Sequence, residues 1–442
     1  MIQAGWAEKD ITPLPGIPLG GYFNPRWAEK VLDPLKLIAL YLEKGDSSLA
    51  IVSLDLLAIS SSQVKEWKKE ISSSIGILPE NVLISTTHTH TAPLTFPLFG
   101  QKPDWGYVES LRRKLLEALL EAKMKIKPVH IEIATGKVEG ISFNRRYRMK
   151  NGKVVTNPPK DHPDIVGPAG PVDRRLTLIR ILPEENSSSL FLIHFALHLD
   201  TVNHNFISSD FVGVVREILK KIYGEKTFFL YLQGTAGDIN HLDPEGRIKT
   251  SHPYNRIRIG RVLAGEILKL AEFTRKLKIT EIKGVSEELK VNLRVPEEKE
   301  VEEAKIFLQK FGEEDLSPLT SEDLAAGSER AKAFYARQIL ELKKSKETTA
   351  EMEIQGLKIG ELALVGIPAE VFTETGLKIK EKSPFPYTLI VELANGCLGY
   401  LPPPKAFEEG GYETMLNSYN RLPPDTEEKV LKVTSHILNQ LL

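Results

Sequence analysis

The stretch LAIVSLDLLAISSSQVKEWKKEISSSIGILPENVLISTTHTH, residues 49–90, decides the fold. Residues 49–59 are an apolar, β-branched run, 63–75 carry apolar residues at helical spacing after Ser60 to Ser62, and 81–87 return to a β-branched run. Strand, helix and strand within about 40 residues make a crossover unit, which requires a parallel pair and puts the functional edge at the C-terminal strand ends. His88 and His90 stand where the second of those strands stops.

Upstream, LKLIALYLE (35–43) joins 49–59 through Gly45, Asp46, Ser47 and Ser48, the turn chemistry of a hairpin. Downstream, a helical pattern over 105–123 precedes a strand near 129–139. Strands over 175–182 and 189–198 are followed by a helix from Asp210 to Tyr223 and by the very apolar strand 227–232, a second crossover. A helix over 254–273 ends the first half. Beyond it come strand-like alternation over 280–295, a long charged helical segment over 298–345, a hairpin over 350–366 turning near Gly356, a helix over 371–382 and a buried strand over 387–394. The expectation is an α/β fold: one body over 1–442 with a mixed, largely parallel sheet, helices on both faces, and 298–345 as a helical insertion or subdomain outside it.

Composition narrows the function. With 442 residues, 41% hydrophobic and 26% charged, the chain buries a large core and is not intrinsically disordered. Lys plus Arg (58) nearly cancel Asp plus Glu (59), which leaves no basic surplus for a phosphate backbone and argues against a nucleic-acid partner. The opening residues carry no export signal, and no window is apolar for long enough to be an integral membrane segment. The single cysteine, Cys397, excludes an intramolecular disulfide and fits a reducing compartment, so a cytoplasmic location is expected. Oligomeric state is not legible.

The chemistry lies at the strand ends. In an extended segment residues i and i+2 project from one side, so His88 and His90 reach one site, where imidazole nitrogens suit a zinc ion. His198 ends the apolar run 190–197 and converges on the same crevice, whereas His194, inside that run, is read as a buried histidine satisfied by backbone. Glu370, in GIPAE, enters a helix after the apolar strand 361–365. The long glycine- and tyrosine-rich loop 394–413 is functional in type and offers Tyr400 and Tyr412 as inward-pointing groups.

AGWAEKDITPLPG at the start, STTHTHTAP (85–93), FNRR (143–146), FALH (195–198) with the following NHNFISSDFVG, GTAGDIN (234–240), IPAE (367–370) and GYLPPPKAFEEGGYE (399–413) occur in an order that resembles the neutral, non-lysosomal ceramidases and their bacterial relatives. The resemblance implies a zinc ion held by His88, His198, Glu370 and Tyr412, with His90 and Arg145 polarising the reacting amide. It departs from the family in three places. Asn240 replaces a serine beside the substrate amide, FALHLDT brings Leu199 and Asp200 beside His198, and Arg146 follows Asn144 and Arg145. Asn240, Asp238 and Asn144 are therefore expected to contact an altered substrate. The chain ends about 30 residues after Tyr412, too short for the C-terminal β-sandwich of the ceramidases.

The activity so implied is zinc-dependent cleavage of an amide in a small-molecule N-acyl substrate by metal-activated water. Two alternatives remain: a zinc-dependent esterase, lactonase or phosphoesterase on the same fold, and a ligand-binding relative without catalysis.

Overall fold

The structure is a computed structural model that describes every residue except 185–187, 203, 247–253 and 312–318. Its largest element is a nine-stranded mixed sheet. Strands β1 (Gln3–Asp10), β2 (Lys36–Lys44), β3 (Ser47–Leu54), β4 (Val82–Thr86), β5 (Lys127–Lys137), β6 (Arg175–Pro183), β7 (Ser189–Phe195) and β8 (Thr227–Gln233) lie in the order β8-β7-β6-β5-β1-β2-β3-β4, with Arg275–Lys276 added on β5. A second sheet runs β9 (Ile282–Asn292), β10 (Thr349–Ile359), β11 (Leu362–Ile367), β12 (Tyr387–Glu392). The main helices are α1 (Ser61–Ile75), α2 (Trp105–Met124), α3 (Asp210–Tyr223), α4 (Tyr254–Ala271), α5 (Glu298–Phe311), α6 (Glu329–Lys344), α7 (Thr373–Lys382) and α8 (Thr426–Gln440).

The α/β class and the mixed sheet agree with the sequence reading, but the expected parallel majority does not. Within the two large sheets the parallel pairs are β3 with β4, β7 with β8 and β11 with β12; the remaining pairings are antiparallel. Each parallel pair is bridged by a helix, α1, α3 and α7 in turn. The physical reason is connection length. A parallel return needs a crossover of a dozen or more residues, whereas a tight turn such as the one between Lys44 and Ser47 enforces an antiparallel neighbour.

Helices do not cover both faces of one sheet either. On one face of the large sheet, Ala39, Val52 and Ile84 pack with Trp67 and Ile71 of α1 and Leu115 of α2, while Phe195 and Tyr231 pack with Leu219 of α3 and Ile267 of α4. The opposite face, through Leu40, Ile51 and Leu192, meets Leu357, Leu364 and Leu389 of the second sheet. The far side of that second sheet buries Ile354, Val365 and Ile390 against Ile379 of α7 and Val430 and Ile437 of α8. The result is four layers: helices, sheet, sheet, helices. Strands buried on both faces read as continuous apolar runs, so the sequence carries no mark of which layer covers which side.

The hairpin expected to turn near Gly356 turns at Gly360 instead, which has φ +59. Gly356 lies inside β10, where a Cβ would stand 2.4 Å from Ile437 Cγ2, so its missing side chain makes room for α8. The segment 298–345 holds α5 and α6 between β9 and β10, packed on each other through Val301, Ala304, Ala336 and Ile339; its residues 312–318 lie outside the described chain. Among the described residues no helix is long and apolar enough to cross a membrane.

Buried polar groups tie the two sheets together. Asn395, at φ +63, donates its backbone N–H to Ile84 O (2.7 Å), accepts Ile84 N–H on Oδ1 (3.2 Å) and donates Nδ2 to Gln355 Oε1 (2.7 Å). His194 likewise meets Ile390 O at 2.8 Å, the structural role read for it. Asn395→Ala strands Ile84 N–H and Gln355 Oε1 in the interior and places alanine in the left-handed region. It should cost about 2–4 kcal/mol, read as a lower urea midpoint at unchanged far-UV circular dichroism.

Candidate active site

The three helix-bridged parallel pairs deliver the chemistry. His88 and His90 follow the end of β4, His198 follows the end of β7, and Glu370 follows the end of β11. All four converge. His88 Nε2 lies 3.1 Å from His198 Nε2, 3.2 Å from His90 Nε2 and 3.3 Å from Glu370 Oε2, and His198 Nε2 lies 3.5 Å from the same carboxylate oxygen. The three histidines form a group able to hold a metal ion.

How His88 and His90 come together differs from the expected strand alternation. The strand ends at Thr86 and His88 has φ +69, a left-handed kink that is uncommon for a residue with a side chain. Its backbone N–H is held by Leu56 O at 2.9 Å, and the two rings meet edge to face at 4.8 Å. Gly21 makes this possible from outside: at φ +105 it lies so close that a Cβ would stand 2.8 Å from His90 Cγ.

The hydrogen bonds at the outer ring nitrogens set what faces inward. His88 Nδ1 meets Leu57 O at 2.9 Å and His198 Nδ1 meets Ala236 O at 3.2 Å. Carbonyls only accept, so both Nδ1 atoms carry the proton in the neutral ring and both Nε2 atoms present lone pairs to the centre. Glu370 Oε2 is buried there without a donor. Burial, then His88 and Arg145, push His198 well below the usual imidazole range, and burial, then His88, does the same for His90, so both rings stay neutral. Burial raises the Glu370 carboxyl, but His88, Arg145 and the Tyr419 hydroxyl outweigh it and hold it below the usual carboxylate range. Lone pairs and a carboxylate oxygen aimed at one buried point repel one another unless a cation lies between them. Donors about 2.0–2.1 Å from a tetrahedral ion stand about 3.3–3.4 Å apart, which the separations of 3.1–3.5 Å match.

Arg145 is locked against this centre. Its Nε donates to Glu413 Oε1 (3.0 Å) and Nη2 to Gly237 O (2.7 Å), leaving Nη1 at 3.5 Å from His198 Nε2. The guanidinium also lies over the rings of Tyr400 and Tyr412. Glu413, fully buried, takes Arg146 Nη1 (3.0 Å) and Thr156 Oγ1 (2.8 Å) on its second oxygen. Sequence reasoning missed Glu413; the signal was a carboxylate beside a candidate tyrosine in a chain with two adjacent buried arginines.

The tyrosine that reaches the carboxylate is Tyr419, whose hydroxyl donates to Glu370 Oε1 at 2.7 Å. Burial raises its phenol far above the ordinary value, so it stays protonated and donates. Tyr412 lines the same cavity, edge to face with Phe23 and Tyr400. Tyr419 escaped notice because nothing in NSYNR marks it: Asn417 Oδ1 accepts the N–H groups of Tyr419 (2.8 Å) and Asn420 (2.9 Å), a turn that aims the ring inward only in context.

Asn144, Asp238 and Asn240 stand behind Arg145 rather than on the cavity wall. Asp238 Oδ2 takes Asn144 Nδ2 (2.6 Å), its Oδ1 takes Thr373 N–H (2.8 Å), and its carbonyl holds Arg145 N–H (2.8 Å). Asn240 Nδ2 donates to Asn157 Oδ1 at 3.2 Å. Their polar atoms are used in shaping the loop that carries the arginine. The cavity itself is small, with room of about 50 Å³ for the centres of water-sized spheres, and is walled by Tyr22, Phe23, Leu57, Leu98, Phe99 and the tyrosines, with His88, His90 and Glu370 at its base.

No protein-family model matches the chain. Two solved structures share its fold over its whole length. Neutral ceramidase from Pseudomonas aeruginosa superimposes with a TM-score of 0.75 at 16% identity, covering 100% of this chain and 74% of that one. A ceramidase complexed with C2 gives a TM-score of 0.76 at 16% identity, covering 100% of this chain and 75% of that one.

Glu413→Ala removes the carboxylate that two buried guanidinium groups share, leaving Arg145 without one, and should cost about 3–5 kcal/mol, whereas the isosteric Glu413→Gln should cost less; denaturant midpoints of the two variants check the order.

Proposed function

We propose that this chain, which has the ceramidase fold, is a zinc-dependent hydrolase cleaving the amide bond of a small N-acyl compound. The observation that carries the reading is the set of buried donor atoms facing one point: Nε2 of His88 and His198 with Oε2 of Glu370, and Nε2 of His90 beside them. Two imidazoles and a carboxylate are a donor set that suits zinc and leaves a further position open. His88, His198 and Glu370 are assigned as ligands, with the Tyr412 hydroxyl as the fourth candidate. Zinc held there supplies Lewis acidity and an acidified water at neutral pH.

The protein's own groups do the rest. Arg145 has two nitrogens committed to Glu413 and Gly237, so Nη1 is the donor left for an oxyanion, a contribution typically of about 3–4 kcal/mol. His90, neutral and beside His88, is placed to polarise the carbonyl or to pass a proton to the departing amine. Tyr419 fixes the carboxylate of Glu370 from behind, the outer-shell contact that orients a ligand. Asn144, Asp238 and Asn240 act at one remove, by holding the Arg145 loop.

Protein purified without added metal or a chelating tag should contain one zinc per chain, and His198→Ala should lose it; a wild-type chain that takes up no zinc on addition sinks the proposal. His88→Ala should abolish turnover of N-acyl amides. Turnover of an amide against an ester with the same acyl group separates the amidase from the esterase reading. Tyr419→Phe should weaken zinc binding about 10–100-fold in calorimetric titration while the thermal midpoint of the metal-free protein stays close to wild type.

A further inference from the structure

The cavity above the histidines is closed by an aromatic cluster that the proposed chemistry does not use. Phe23 and Phe99, both on its wall, stack at 5.4 Å, and Phe334 of α6 packs edge to face on each, at 5.4 and 5.3 Å. Phe99 is held under strain. Leu98 and Gln101 exchange backbone hydrogen bonds of 3.0 and 2.9 Å, and between them Phe99 has φ +48 and Gly100 φ +81, a turn in which a large side chain is costly at the first central position.

Phe334 arrives with the helical segment between β9 and β10, and that segment is pinned to both loops of the cavity. Asn24 exchanges side-chain hydrogen bonds with the backbone of Leu319 (2.9 and 2.8 Å), next to Tyr22 and Phe23. Gln338 Oε1, one helical turn beyond Phe334, accepts from the N–H (3.1 Å) and hydroxyl (2.6 Å) of Ser418, next to Tyr419. Only about 50 Å³ of the cavity admits the centre of a water-sized sphere, well below the range of ligand pockets. The groove beyond Leu98 and Tyr419 is mixed, with Lys65, Glu288 and Arg421 beside Phe96, Pro97 and Leu293.

We infer that Phe334 is a specificity-determining residue, which holds Phe23 and Phe99 closed over the site so that the enzyme takes short-chain or aryl acyl groups and excludes long aliphatic ones. The inference rests on the metal-hydrolase reading above. Phe334 acts through the two rings it supports and is a positioning residue.

The test is equilibrium binding of acetohydroxamate, benzohydroxamate and dodecanohydroxamate, metal-chelating acyl analogues, to the zinc-loaded full chain and to its Phe334→Ala and Phe99→Ala variants. Wild type should prefer the acetyl and benzoyl compounds. Either variant should tighten dodecanohydroxamate by about tenfold or more while acetohydroxamate changes by less than about twofold, a length dependence that loosened folding alone does not produce. A wild type that already prefers the dodecanoyl compound, or variants with an unchanged ratio, overturns the role of Phe334 and leaves the hydrolase reading standing. No binding at any chain length overturns the metal reading, and this inference with it.

Discussion

Two imidazole lone pairs and an unpartnered carboxylate oxygen, all buried and aimed at one point, are the constraint on which the rest of the structure depends. Such an arrangement is unfavourable by itself, and the surrounding protein works to hold it. Carbonyls of Leu57 and Ala236 fix the tautomers, Tyr419 fixes the carboxylate, and Arg145 closes the remaining side. Removing the repulsion by swinging one ring away would break one of these buried hydrogen bonds.

A buried carboxylate that touches none of the donor atoms links the strand ends. Glu392, at the end of β12, accepts the N–H of Ala236 (3.0 Å) and of Val371 (2.9 Å) on one oxygen. Ala236 is the residue whose carbonyl orients His198, and Val371 follows Glu370, so a single side chain sets the spacing of two loops that come from different sheets. Gly237 completes the junction, since a Cβ there would stand 2.6 Å from Glu370 O. Burial raises the Glu392 carboxyl well above its ordinary value, the cost of placing an acid in the buried junction of two loops.

The same division of labour runs through the cavity. Its base is polar and comes from the ends of parallel strands, where three crossover units open in one direction. Its wall is aromatic and comes from connecting loops, backed by the helical segment between β9 and β10. Chemistry is thus carried by the strand ends, and shape by connecting loops, the part of a fold most able to vary.

Part of the site was legible in the sequence. His88, His198 and Glu370 each follow an apolar β-branched run, which marked them as strand-end candidates, but it was the family resemblance, not local pattern, that joined them into one set, and their meeting needs two sheets stacked face to face. Arg145 was carried by motif resemblance. Other features needed the tertiary structure. Whether a doubly buried strand meets a helix or a second sheet leaves no trace in its own residues, which is why the four-layer stacking and the antiparallel majority were not legible. The ring orientation of His88, the hydroxyl of Tyr419 and the carboxylate of Glu413 depend on partners 31, 49 and 268 residues away along the chain, and no local periodicity encodes such contacts.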